Sequence, residues 1–148
     1  MFKQEKDWKP ELRHEVRNGK GDVTFNHIYA KGTELNPNMR LFAKLVLEPG
    51  CSIGWHVHEN EDEIYYILSG TAETDDNGVK RILQAGDSTL TRSGEGHSIT
   101  ALGSEKLELI ATIISYCFSE LGFYISRYCV ILTLQHKKNR MDARRIST

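Results

Sequence analysis

The sequence predicts an all-β sandwich or barrel, and three observations point to it. Between residues 22 and 114 the apolar residues fall in short runs, turn residues break these runs at close spacing, and no long segment keeps a 3.6-residue period. The runs are Val23–Tyr29, Met39–Leu47, Glu63–Leu68, Thr71–Thr74, Val79–Leu83, Ser88–Thr91, His97–Ala101 and Leu107–Ile114. The breaks include Asn36-Pro37-Asn38, Pro49-Gly50, Ala85-Gly86-Asp87 and Ser93-Gly94-Glu95-Gly96. Many short strands joined by such turns close into sandwiches or barrels.

Taken in order, residues 1–21 are polar, contain Pro10, Gly19 and Gly21, and read as an extended N-terminal arm. Along Met39–Leu47 the set Met39, Leu41, Ala43 and Leu45 shares one parity and reads as a core face, which leaves Arg40 and Lys44 for solvent, or for an anionic ligand if the barrel orients them inward. Glu63, Tyr65 and Ile67 share a parity and are expected inward, with Tyr65 either a core tyrosine or a ligand contact. Leu68-Ser69-Gly70-Thr71 reads as a tight turn, and Asn77-Gly78 as a hairpin turn, because both residues tolerate positive φ. Residues 115–134 are aromatic and β-branched, and a basic tail follows. The expected organisation is therefore an arm over 1–21, a barrel domain over 22–114 and an atypical C-terminal extension over 115–148. That extension reads as extra strands, a packed segment or a poorly folding β-prone tail.

Composition narrows the function. The 148 residues fit one domain, and 39% hydrophobic with 26% charged residues is ordinary for a soluble globular chain. The formal net charge is −1, so no strong field recruits nucleic acid, and no helix-turn-helix pattern accompanies the strands. Residues 135–148 carry five basic side chains against Asp142 alone, a net of +4 that leaves −5 for the rest. A membrane span is not expected. Glu120 and Arg127 interrupt the apolar stretch, each costing about 2–3 kcal/mol near a bilayer centre, and the charge-free runs are too short for ~30 Å. Three cysteines make no disulfide framework, and the first residues lack the apolar run of a secretory leader, so a cytoplasmic setting is expected.

One cluster carries chemistry. His56 and His58 sit two apart, Glu63 follows five residues later, and His97 lies in Gly94-Glu95-Gly96-His97. Residues two apart on a strand share a face, so both histidines can point into a barrel. A strand beginning near Asp62 lets Glu63 converge on them, and a strand beginning at His97 supplies a fourth group. Three imidazoles and one carboxylate suit a divalent transition metal such as Mn, Fe, Co, Ni or Zn. A single histidine near a turn is usually structural; the spacing of the set distinguishes this one. His14, His27 and His136 have no partner spacing and are not expected as ligands. Among the acidic residues beside the cluster, Glu61 and Asp62 are candidates to support the cation. Glu61 and Tyr65 are the modest candidates for proton transfer.

The spacing also resembles the cupin superfamily, in particular its small single-domain members. Its first motif is matched by Gly50-CSIGW-His56-Val57-His58-ENED-Glu63-IYYILS-Gly70. The second is matched in spacing by Gly86-DSTLT-Arg92-Ser93-Gly94-EG-His97-SIT-Ala101, with Arg92 in place of proline and Ala101 in place of asparagine. The resemblance covers about residues 35–114 and implies a single-domain jelly-roll barrel with metal ligands His56, His58, Glu63 and His97. It implies a metal-dependent enzyme of isomerase, decarboxylase, lyase or dioxygenase type acting on a small carboxylate, keto or polyhydroxy compound. The alternative is a non-catalytic metal-dependent sensor or binding protein. It also suggests a homodimer, with the arm adding a strand to a neighbour's sheet edge.

Overall fold

The computed structural model describes residues 1–116. The expectations for the C-terminal extension beyond Tyr116, and for His136, lie outside the described residues. The strands in chain order are β1 (Lys9–His14), β2 (Asp22–His27), β3 (Met39–Leu47), β4 (Ser52–Val57), β5 (Glu61–Ser69), β6 (Thr71–Asp76), β7 (Val79–Gln84), β8 (Ser88–Thr91), β9 (Gly96–Leu102) and β10 (Leu107–Ser115). They form a six-stranded sheet ordered β1-β2-β3-β10-β5-β8 and a four-stranded sheet ordered β4-β9-β6-β7. All the pairings are antiparallel. The result is an all-β sandwich, as the short runs predict, with the jelly-roll architecture that the resemblance implies.

Period-two alternation decides what lies between the sheets. On β3, Leu41, Ala43, Leu45 and Leu47 are buried, while Lys44 faces outward to pair with Glu5 and Glu108. On β10, flanked by β3 and β5, the buried set is Leu107, Leu109, Ala111 and Ile113. Ile53, Ala72, Leu83, Ile99 and Ala101 complete the core from the four-stranded sheet. Ala101, one of the two departures from the resembled pattern, is a small core side chain. Truncating Leu109, which is fully buried, is expected to lower the unfolding free energy by about 2–5 kcal/mol in urea titrations. Truncating Leu12 on β1, which is 56% exposed, is expected to change it by only about 0.5 kcal/mol. Equal losses at the two positions would contradict this core.

Two turns show why the chain needs its small residues. Asn77 and Gly78 have φ of 52° and 83°, the paired positive values of a tight hairpin turn between β6 and β7. Gly70, at φ 81°, carries the chain from β5 in one sheet to β6 in the other, and a Cβ there would overlap the Lys106 carbonyl.

The arm does more than extend. Lys9–His14 pairs antiparallel with β2 of its own chain, from Lys9 opposite His27 to His14 opposite Asp22, and forms the edge of the six-stranded sheet. The segment after it turns back onto β4. The Lys20 N–H donates to Ser52 Oγ (2.7 Å) and the Ser52 N–H donates to the Lys20 carbonyl (2.8 Å).

Candidate metal centre

Three strands and one loop residue bring the four side chains together. β4 carries His56, directly opposite His97 on β9. The β4–β9 register shifts between Ile53 and His56, where three steps on β4 match two on β9. This bulge reverses the parity of the strand, so that Ile53 and His56 face the cavity while Trp55 lies 49% exposed on the other side. His58 lies one residue past β4, held by backbone hydrogen bonds with Glu95 and Gly94. Glu63 lies on β5 with Tyr65 and Ile67 on the same face, all three buried.

Each imidazole is oriented by a contact at Nδ1. The His56 Nδ1–H donates to the Gly54 carbonyl (2.9 Å), and the His58 Nδ1–H donates to Glu61 (2.8 Å). Thr91 Oγ1 lies 2.9 Å from His97 Nδ1. The Nε2 atoms are thereby turned inward. His97 Nε2 lies 3.2 Å from both His56 Nε2 and His58 Nε2, and Glu63 Oε2 lies 3.0 Å from His58, 3.0 Å from His97 and 3.7 Å from His56.

This arrangement fits a cation. With Nδ1 protonated against a carbonyl and a carboxylate, the His56 and His58 Nε2 lone pairs face each other and the Glu63 carboxylate. His58, His97 and Glu63 are almost fully buried, so a shared cation or proton must relieve the concentration of lone pairs. Metal–nitrogen bonds of about 2.1 Å place adjacent ligand atoms about 3.0–3.4 Å apart, close to most of the separations here. All four donor atoms lie within 4.8 Å of one another, so the group could hold a metal ion.

The electrostatics of the cluster agree. Burial would raise the Glu63 carboxyl, but the His56, His58 and His97 imidazoles around it outweigh burial and hold the group well below the usual carboxylate range. Burial likewise depresses His58, but Glu63 and Glu61 outweigh it and raise this imidazole above its ordinary 6.5. At His97 burial wins over Glu63 and the pKa falls. A proton held above the ordinary range competes with a metal at higher pH. Metal affinity is therefore expected to begin falling at a higher pH than it would for histidines at their ordinary value of 6.5, because His58 holds its proton more tightly. Competitive metal titrations between about pH 5.5 and 8 check this, and a flat response would contradict histidine ligation.

The donors open onto a cavity of about 300 Å³. Its wall includes Leu41, Leu45, Ile53, Tyr65 and Ile113, together with Arg13, Arg17, Lys31 and Arg40. Tyr65 stacks on His97 with ring centroids 5.0 Å apart, and burial followed by the Glu63 charge keeps its hydroxyl protonated far above pH 10. Glu61 is fully engaged. Arg40 grips both its oxygens at 2.6 Å, and His58 takes the third contact. Arg40, expected at the surface, instead closes a chain from cavity wall to Glu61 to His58. Asp62 accepts the Ser93 N–H (3.0 Å) and does not join the donors. His14 pairs with Asp22 away from the cluster, whereas His27 lines the cavity without joining the donors.

A family profile for the cupin domain matches residues 43–113. The oxalate-binding protein of Thermotoga maritima is 47% identical over 105 residues, which span 71% of this chain and 86% of that protein. The chain belongs to the cupin family. A crystal structure described as a predicted oxalate decarboxylase from Thermotoga maritima superposes with a TM-score of 0.74 at 42% identity, covering 78% of this chain and all of that one. A cupin 2 conserved barrel domain protein from Salinispora arenicola superposes with a TM-score of 0.55 at 26% identity, covering 71% of this chain and 82% of that one.

This cupin has a cavity wall that its motifs do not announce. Arg13, Val16, Arg17, Phe25 and His27 all come from residues before the matched region. Among the described residues, no helix is long and apolar enough to cross a membrane.

Proposed function

We propose that this cupin holds one divalent transition-metal ion on His56, His58, Glu63 and His97 and uses it to bind a small oxygen-rich acid of the oxalate type. The observation that carries the reading is the convergence of three Nε2 atoms and one carboxylate oxygen beside a cavity that His56, His58 and Glu63 line and whose wall carries four cationic side chains. A bound ion would polarise a carboxylate oxygen as a Lewis acid. The cationic wall favours anions. The relative that binds oxalate and the solved neighbour described as a predicted oxalate decarboxylase support the same ligand class.

Binding is favoured over turnover by the state of the two proton-transfer candidates. Glu61 has both oxygens committed to Arg40 and His58, so it acts as a holder of His58 rather than as a free base. Tyr65 keeps its proton and serves as a hydrogen-bond donor beside the cluster. The solved neighbour described as a predicted oxalate decarboxylase favours the second reading, an enzyme in which Tyr65 offers a hydrogen bond to a ligand held at the donors. The test is to incubate metal-loaded protein with excess oxalate and follow oxalate, formate and carbon dioxide. The binding reading predicts retained, unchanged oxalate, and steady formate release would replace it with the enzymatic one.

A further inference from the structure

Four cations line the cavity, but two already have work within the fold. Glu11 accepts two hydrogen bonds from the Arg13 guanidinium, both at 2.8 Å, and Arg13 lies over the Phe25 ring at 4.1 Å. Glu61 clamps Arg40. Lys31, in the loop between β2 and β3, and Arg17 are both exposed, and neither has a carboxylate partner among the described residues. They differ in that the Arg17 backbone is packed against β4.

That backbone lies in the left-handed region, at φ 56° and ψ 36°, with Glu15 and Asn18 also at positive φ. A non-glycine residue stays there only when its surroundings dictate the conformation. Here they do, because the turn is pressed against β4. A Cβ at Gly54 would overlap the Arg17 carbonyl, and a Cβ at Gly19 would overlap the Ser52 carbonyl. The Lys20–Ser52 hydrogen bonds close the same contact. Gly54 is two residues from His56 and accepts its Nδ1–H. The Arg17 backbone is thus registered directly to the strand that carries a donor. Its side chain reaches the cavity, where its charge acts on the buried Tyr65 hydroxyl stacked against His97.

We infer that Arg17 grips the carboxylate oxygens of the ligand that face away from the donor cluster, and so selects dicarboxylates over analogues with one charge; this rests on the ligand reading proposed above. The guanidinium fork matches a carboxylate in plane, whereas a carboxamide offers one acceptor and turns a donor toward it. Oxalate and oxamate differ in that one group while keeping size and shape.

The test measures oxalate and oxamate affinities by calorimetry on manganese-loaded wild type, Arg17→Met and Arg17→Lys. Metal content and ligand-free melting temperature are recorded for each. Wild type is expected to prefer oxalate by about tenfold or more, the difference expected of charge-assisted hydrogen bonds. Arg17→Met is expected to bring that ratio close to one with metal content and melting unchanged, and Arg17→Lys to restore part of it. An undiminished oxalate preference in Arg17→Met would overturn the assignment while leaving the proposed function intact. Failure of the loaded wild type to bind oxalate would overturn both.

Discussion

His97→Ala is expected to abolish the metal binding proposed above. His97 sits at the middle of the cluster, 3.2 Å from the Nε2 atoms of both other histidines and 3.0 Å from Glu63. Removing it leaves three donors and a void beside Tyr65. Partners that only orient a ligand cost about 10–100-fold in metal affinity, so loss of the ligand itself should exceed about 100-fold. Glu63→Gln preserves the shape but removes the negative charge that all three imidazoles face, and should fall in the same range. His14→Ala is the control, because His14 is exposed and bonded to Asp22 on the sheet edge. Elemental analysis of the three variants beside wild type, with circular dichroism to confirm the fold, reads the result. Equal occupancy in all of them would remove His97 and Glu63 from the site.

Glu61→Gln is the second large effect expected. Its carboxylate takes a forked pair of hydrogen bonds from Arg40 and one from His58 Nδ1. That contact keeps the His58 proton on Nδ1 and leaves Nε2 as a lone pair facing Glu63. Burial raises the Glu61 carboxyl, but Arg40 first and then His58 outweigh this and keep it ionised. A glutamine cannot accept from all three donors, and it frees Arg40 toward the cavity. Metal affinity should fall about 10–100-fold, less than for the ligands themselves. Nitrogen-15 spectra of the imidazoles, which report the tautomer, should show His58 losing its single protonation state. Unchanged affinity and tautomer would reduce the Arg40–Glu61 pair to an incidental ion pair.

Much of this was legible in the sequence because it depends on local periodicity. The parity of Leu41, Ala43 and Leu45 and of Glu63, Tyr65 and Ile67 follows from strand geometry, and the structure buries each of these residues. Asn77-Gly78 makes its hairpin because a two-residue turn needs positive φ twice. The spacing from His56 to His97 marked the four side chains that the structure brings together. Other features were not legible because they depend on contacts distant in sequence. Strict alternation would put Ile53 and His56 on opposite faces, and only the bulge at Gly54-Trp55 brings both inward. The arm reads as polar and featureless because all six residues of β1 are exposed and no apolar alternation marks them. Its return past Arg17 to β4 rests on two glycines 35 positions apart in sequence, Gly19 and Gly54, meeting in space. Arg40 shares a strand with outward-facing residues, and only the position of Glu61 across the sheet shows that it turns toward the cavity.

The measurement that tests the account most directly is calorimetric titration of oxalate into wild-type protein, once metal-free and once loaded with manganese(II). The account predicts one oxalate per loaded chain and no detectable binding to the metal-free protein. Equal binding in both states, or none in the loaded one, would contradict a ligand held through an ion on His56, His58, Glu63 and His97.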